Sequence, residues 1–203
     1  MSVVNCHKEK CLALTFDDGP GPYTRQIVDT LVAHGAKATF FTIGRSVAAD
    51  PETVKYAHDQ GMAIGDHTWS HPILNTLADD AVTSELSKTA QAIEAAIGSR
   101  PAGVRPPYGA FSKTTPHSGM PFYLWDIDSE DWKNRDASMT TQRVVSAAHP
   151  GGIALMHDIH PSTAEALPGM IEQLQKAGYK LVTVDDLMGV RWILREPTIR
   201  HSK

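Results

Sequence analysis

Seven short apolar, β-rich runs, most of them separated by stretches of helical period, constrain this 203-residue chain more than any other feature. They are Cys11–Phe16, Ala38–Ile43, Met62–Ile64, Gly103–Arg105, Phe122–Ile127, Gly152–Met156 and Lys180–Val184. Strands that are apolar on both faces are covered on both faces, as in parallel sheets whose crossovers are helices. The intervening stretches carry the matching signal. Ile27, Val28, Leu31 and Val32 recur at helical spacing and are closed by Gly35. Val82, Leu86, Ile93 and Ile97 are closed by Gly98, and Met170, Ile171 and Leu174 by Gly178. Strand and helix in alternation predict an α/β fold, and seven strands predict a distorted (β/α)7 barrel, with a doubly wound open sheet as the alternative.

One connection breaks the rhythm. Between the fourth and fifth runs, Pro106, Pro107, Gly109, Pro116, Gly119 and Pro121 exclude a proper helix, so an irregular crossover is expected there. No repeat, low-complexity run or linker divides the chain, which predicts a single domain over 1–203 with its core in 11–189. In the tail, 190–203, the apolar run Val190–Leu194 is expected to pack on the barrel before the end frays.

Composition narrows the partners. Hydrophobic residues at 41% and charged residues at 21% are globular usage. A net charge of −4 supplies no basic field for nucleic acid or an anionic membrane. No run approaches the roughly 20 apolar residues of a transmembrane helix. The first residues lack the basic and apolar regions of a signal peptide, which reads as a cytosolic protein or one whose leader has been removed. A monomer acting on a small or sugar-like substrate is the expectation. Cys6 and Cys11 are the only cysteines and either bridge or remain thiols. A zinc site from Cys6, His7 and Cys11 has only three close donors and no downstream pair.

In parallel α/β folds the strand C-termini open on one face, and functional groups gather there. Five of the seven runs end in polar, ligand-capable clusters: Asp17-Asp18-Gly19, Asp66-His67-Thr68-Trp69-Ser70-His71, Arg105-Pro106-Pro107-Tyr108-Gly109, Asp128-Ser129-Glu130-Asp131-Trp132 and Leu155-Met156-His157-Asp158. Each alone has a plainer reading. Two aspartates before Gly-Pro suit a turn. The histidine pair, closed by Pro72, suits a surface loop, and Arg105, Trp132 and His157 suit a strand end, a core aromatic and a buried imidazole. One metal-centred hydrolytic site explains all five together. Two imidazoles and a carboxylate fit Zn²⁺ or a similar ion with a position left open. Such an ion lowers the pKa of the water it binds to about 7. Adjacent carboxylates can then divide labour, Asp18 ligating while Asp17, held by Arg105, takes a proton, and His157 can protonate a leaving group.

Taken in order, Thr15–Gly19, His67–His71, Arg105–Gly109, Asp128–Trp132 and Leu155–His157 closely resemble the five motifs of the polysaccharide deacetylase family, also called NodB-homology or family-four carbohydrate esterases. The resemblance covers about 11–189. It implies a distorted seven-stranded β/α barrel and metal-dependent removal of acetyl groups from amino sugars or acetylated xylan. By the same resemblance Asp17 is the general base, Asp18, His67 and His71 hold the metal, and Arg105 orients Asp17. His157 is the general acid, tuned by Asp131. The Tyr108 backbone N–H stabilises the oxyanion, and Trp132 with Leu155 forms the slot for the acetyl methyl. Zn²⁺ is the expected ion, with Co²⁺ or Ni²⁺ as substitutes, and the location expected is extracellular or the cell wall.

Three features depart from the family pattern. The segment between the third and fourth motifs is short and proline-rich, which puts one barrel wall in question. Asp66 stands where the family usually has Asn, adding a carboxylate expected to engage an imidazole or disturb the local charge. The first residues carry no leader pattern, so secretion is expected on the resemblance alone. The favoured substrates are peptidoglycan or chitin oligomers; an O-acetyl esterase acting on acetylxylan and a non-catalytic glycan-binding module, stacking sugars on Trp69, Tyr108, Trp125 and Trp132, are the alternatives. Serine-esterase elbows, phosphate loops and dinucleotide turns are missing from the sequence, as is a second cluster for a paired-metal phosphoesterase.

Overall fold

The computed structural model describes residues 4–189, so the expectations for the tail 190–203 lie outside the described residues. Six parallel strands, β1 (Cys11–Asp17), β2 (Thr39–Thr42), β3 (Ala63–Asp66), β4 (Ile127–Asp128), β5 (Gly152–His157) and β6 (Lys180–Val182), form one sheet. Eight helices connect and flank them: α1 (Thr24–Ala33), α2 (Gly44–Ala49), α3 (Pro51–Asp59), α4 (Asp79–Ile97), α5 (Asp131–Asn134), α6 (Ala137–Ala147), α7 (Pro161–Lys176) and α8 (Val184–Met188). The pairing order is β3-β2-β1-β5-β4. β1 is the centre, running beside β5 from Leu12 to Asp17 while β6 pairs with its first half and β2 with its second.

Alternation along the strands separates two environments. Leu12, Leu14 and Phe16 of β1, Phe40 of β2 and Ala154 and Met156 of β5 join the core beneath the helices, with Ile27 and Leu31 of α1, Ile93 of α4 and Leu167, Met170, Ile171 and Leu174 of α7. Each such leucine or isoleucine contributes roughly 2 kcal/mol by leaving water. The alternate residues Ala13, Phe41 and Ile153 meet Tyr123 and Val184 in a separate interior cluster. Above it in the same files stand Thr15 and Asp17 of β1 and Leu155 and His157 of β5, in register as Thr15 with Leu155 and Asp17 with His157. Strand periodicity therefore lifts the polar groups to one end of an apolar interior.

The helices end where the glycines predicted. α4 stops at Gly98, whose φ of 72° is a left-handed conformation that costs glycine little. Side chains of Asp50, Asp136 and Thr183 cap α3, α6 and α8 by accepting from Thr53, Met139 and Asp186 N–H groups.

The ring is least regular where the prolines lie. The runs at 103–105 and 122–127, expected as strands, reduce to isolated bridges from Asp66 to Val104 and from Val104 to Phe122, followed by the two residues of β4. Pro101, Pro106 and Pro121 lack the N–H a ladder needs, leaving Val104 N–H on Pro121 O at 2.8 Å and Tyr123 N–H on Val104 O at 2.8 Å. The sheet has six strands and is not closed on this side, where the short proline-rich segment put a barrel wall in question. Between 106 and 121 the only helical turn is Pro107–Gly109. Phe111, Met120 and Phe122 pack this wall against Leu74, Val82 and Leu86.

Cys6 and Cys11 form a disulfide, with Cα atoms 5.4 Å apart. The zinc alternative at Cys6, His7 and Cys11 is thereby overturned, because both thiolates it required are consumed. The bridge ties the N-terminal turn to the first residue of β1.

Candidate metal centre and proton-transfer site

Asp17 and Asp18 close β1, and their backbones diverge at once. Asp17 stays extended and buried, whereas Asp18 takes a φ of 77°. A non-glycine residue in that region is strained, and such residues gather at functional sites. Thr68 and His71, both in the loop after β3, and Tyr108, after Arg105, are also left-handed, at 67°, 64° and 59°.

This backbone brings Asp18, His67 and His71 together. One donor atom from each lies within 4.8 Å of the others. Asp18 Oδ1 is 3.6 Å from His67 Nε2 and 3.4 Å from His71 Nε2. His67 donates its Nδ1–H to the Arg105 carbonyl at 2.6 Å, which fixes the tautomer with the Nε2 lone pair facing Asp18. Burial holds the His67 pKa down at about 3, so this imidazole is neutral and free to ligate. Asp18 Oδ1 is buried with no hydrogen-bond partner among the described residues. A buried carboxylate oxygen left over beside two imidazole lone pairs fits a divalent cation by both charge and ligand type.

Asp17 faces the same point from the other side, its Oδ2 3.7 Å from His67 Nε2. Its Oδ1 accepts from Arg105 Nη1 at 2.8 Å. Burial raises the Asp17 pKa; the Arg105 charge and hydrogen bond, and the charge on His157, oppose that rise. Arg105 is itself fully buried and fully engaged. Its guanidinium donates to Thr15 Oγ1 at 2.6 Å and to the carbonyls of Tyr123 and Leu124, both at 3.2 Å, and lies 4.2 Å over the Phe41 ring. The irregular wall thus has a use: carbonyls released from regular pairing at 123 and 124 hold the arginine.

His157, at the end of β5, pairs with Asp131 at the start of α5. Its Nδ1–H donates to Asp131 Oδ1 at 2.7 Å, and its backbone N–H to Asp131 Oδ2 at 2.7 Å. Thr163 of α7 adds a third donor to that carboxylate at 2.6 Å. Burial lowers the His157 pKa, but the hydrogen bond and charge of Asp131, with Asp17 and Asp18 nearby, outweigh it and push the value up to about 9. This imidazole is charged at neutral pH.

The remaining expected residues occupy the rim. Tyr108 is exposed, and its ring meets the edge of His71 at 4.8 Å between centroids. Trp132 is 49% exposed beside Asp131, and Leu155 is buried in the interior file below His157. Asp66 corrects an expectation. It engages no imidazole; its Oδ1 accepts from Thr68 N–H at 2.7 Å, and its buried Oδ2 has no partner among the described residues. His67 already spends its Nδ1–H on Arg105, which leaves Asp66 nothing to accept from that ring.

Four supporting residues were assigned no role by the sequence. Thr15 was legible, since it shares a strand face with Asp17. Thr163 and Glu85 sit on helices with no local signal. Asp158 is buried below the Asp17–Gly19 turn, accepts from Thr24 and would collide with any side chain at Gly19. Burial pushes its pKa up to about 7.

A model of the polysaccharide deacetylase family matches residues 4–119. The chain belongs to that family. It is 42% identical over 182 residues to the peptidoglycan-N-acetylglucosamine deacetylase PgdA of Listeria monocytogenes, covering 89% of this chain and 39% of that protein. It is 40% identical over 185 residues to the peptidoglycan-N-acetylmuramic acid deacetylase PdaC of Bacillus subtilis, covering 90% of this chain and 40% of the relative. The chain therefore spans about two fifths of the length of these curated relatives. Among solved structures, a T48 deacetylase with substrate superposes with a TM-score of 0.88 at 43% identity, covering 92% of this chain and 94% of the other. The parallel α/β architecture is that of the family's solved members. Among the described residues, no helix is long and apolar enough to cross a membrane.

Proposed function

We propose that this chain is a metal-dependent N-deacetylase of acetylated cell-wall glycans, working outside the cell membrane, with peptidoglycan and chitin oligomers as the favoured substrates. The observation that carries the reading is the division between the two adjacent carboxylates. Asp18 keeps a bare oxygen between two imidazoles, whereas Asp17 is committed to Arg105. The relatives named for peptidoglycan acetamido sugars supply the substrate class.

Asp18, His67 and His71 would hold the ion, Zn²⁺ by the chemistry of one carboxylate and two imidazoles. When bound, the ion acts as a Lewis acid that polarises the acetyl carbonyl and makes water nucleophilic near neutrality. Asp17 accepts a proton from the attacking water, and Arg105 keeps that carboxylate aimed and ionised until it does so. The Tyr108 backbone N–H donates to the carbonyl oxygen as negative charge develops on it. As the C–N bond breaks, His157 gives its Nε2 proton to the departing sugar nitrogen while Asp131 stabilises the imidazolium. Acetate and a free amine result. Trp132 and Leu155 bound the acetyl methyl and keep bulk water from the reacting carbon.

An acetate-release panel over peptidoglycan, chitin oligomers and acetylxylan tests the reading. Release from the first two that stops in chelator and returns with Zn²⁺ is expected. Release from acetylxylan alone favours an O-acetyl esterase, and glycan binding without release in any metal overturns the enzymatic reading.

A further inference from the structure

The loop that carries both imidazoles of the metal centre, 67–71, has almost no pairing of its own. Two of its residues, Thr68 and His71, are held at positive φ. A strained loop keeps its shape only where its surroundings over-determine it. His67 N–H donates to the Thr42 carbonyl at 3.0 Å, and three further N–H groups are taken up by side-chain oxygens. Thr68 N–H goes to Asp66 Oδ1 at 2.7 Å and His71 N–H to Thr68 Oγ1 at 3.1 Å, both within the loop or next to it. Ser70 is different. Its N–H donates to Glu85 Oε2 at 2.8 Å and its hydroxyl to Glu85 Oε1 at 2.9 Å. Glu85 lies on α4, fifteen positions along the chain and outside every motif described above.

The carbonyl side of the loop is pinned from α2, where Gly44 N–H donates to Thr68 O at 2.9 Å and Arg45 N–H to Trp69 O at 3.2 Å. α2 and α4 themselves meet through Gly44, where an added side chain would strike both Thr89 and Trp69. The loop is therefore gripped from one helix by its carbonyls and from another by a two-point carboxylate contact at Ser70. Ser70 is the residue immediately before His71. Without that contact, only the bond from His71 N–H to Thr68 Oγ1 at 3.1 Å would oppose the relaxation of His71 toward an ordinary negative φ.

We propose that Glu85 is a positioning residue for the cation site, acting through Ser70 to hold His71 in ligating geometry. This inference rests on the reading of Asp18, His67 and His71 as metal ligands. The contact is geometric rather than a matter of charge: a glutamine at 85 can accept from Ser70 N–H and donate to its hydroxyl, preserving both bonds. Alanine preserves neither.

The test is Zn²⁺ affinity, read by competition with a chromophoric chelator, with the melting temperature in chelator as a control on folding. Loss of an outer partner of a metal ligand lowers affinity by roughly 10-fold or more. Glu85→Ala should weaken Zn²⁺ binding by about that factor, whereas Glu85→Gln stays within about 3-fold of the unaltered chain. Ser70→Ala should weaken binding modestly alone and add nothing to Glu85→Ala, since both act through one contact. A melting temperature in chelator that matches the unaltered chain marks the effect as positional. Unchanged affinity in Glu85→Ala, glutamine as weak as alanine, fully additive losses, or an affinity loss matched by a fall in that melting temperature would each overturn the clamp. If the unaltered chain itself shows no saturable Zn²⁺ binding, the cation reading falls and takes the clamp with it.

Discussion

The two halves of the site are built on opposite principles. On the β1 and β3 side, Asp18, His67 and His71 converge with a carboxylate oxygen and two imidazole lone pairs unspent. On the β5 side the Asp131 carboxylate is spent: it receives three hydrogen bonds, two from His157 and one from Thr163. Unspent buried acceptors are costly unless a guest completes them, and spent ones fix a protonation state. On the proposed reading, the first half holds an ion and the second gives up a proton. Arg105 joins them, holding Asp17 at the boundary.

If the halves differ in this way, removing the acid of the first half and the acid at the boundary breaks the reaction for different reasons. Asp18→Ala and Asp17→Asn should both reduce acetate release by roughly 10³-fold, within the range for a missing general base. The residual rate of Asp17→Asn should saturate at the same Zn²⁺ concentration as the parent and gain nothing from more, whereas that of Asp18→Ala should need roughly 100-fold more Zn²⁺ or never saturate. Measured rates across a zinc titration separate the two.

The boundary between the halves carries the largest expected stability effect. Arg105→Met leaves Asp17 buried without its cation, and breaking a buried pair in this way costs about 3–5 kcal/mol. Denaturant unfolding of the variant at neutral pH reads that loss. Because burial raises the Asp17 pKa once its partner is gone, the deficit should shrink as pH falls and the carboxyl takes up a proton. A deficit independent of pH would mean that the arginine matters for packing alone.

On the proton-donating half, the expected signature is a pH profile. His157 has a raised pKa, so the protonated form required of an acid is present at neutral pH and lost as pH rises through about 9, or lower once a cation offsets the charges of Asp17 and Asp18. Asp131→Asn removes the partner that raises it, leaving burial to pull the value down. The alkaline limb of kcat should move to lower pH in that variant, with turnover reduced about 10²-fold. An unmoved limb would assign the donor role elsewhere.

The smallest effect is expected far from both halves. Replacing Cys6 and Cys11 together by serine opens a short loop at the start of β1, worth about 2 kcal/mol. Thermal unfolding should show a fall of roughly 5 °C while acetate release from the folded enzyme is unchanged.

Much of the site was legible because it depends on strand ends. Asp17, Asp18, Arg105, Asp131 and His157 terminate or follow apolar runs, and parallel topology puts such termini on one face. What the sequence could not show was governed by through-space satisfaction rather than local pattern. Asp66 looked like a partner for His67 because it is adjacent, yet the imidazole reaches back to the Arg105 carbonyl. Glu85 lies on a helix position that nothing in the periodicity distinguishes from its solvent-facing neighbours, and Thr163 lies on the buried face of α7, where its helical spacing with Leu167 and Met170 reads as core and not as a partner for Asp131. The runs at 103–105 and 122–127 had strand composition, but the prolines flanking them at 101, 106 and 121 cut the ladder to isolated bridges. The glycines, in contrast, marked helix ends well, as Gly98 does for α4.

The most direct test of the account is Zn²⁺ binding by Asp17→Asn and Asp18→Ala measured side by side by calorimetry. The account predicts one ion per chain at near-parental affinity in Asp17→Asn and a loss of 100-fold or more, roughly, in Asp18→Ala. Retained affinity in Asp18→Ala, or its loss in Asp17→Asn, would contradict it.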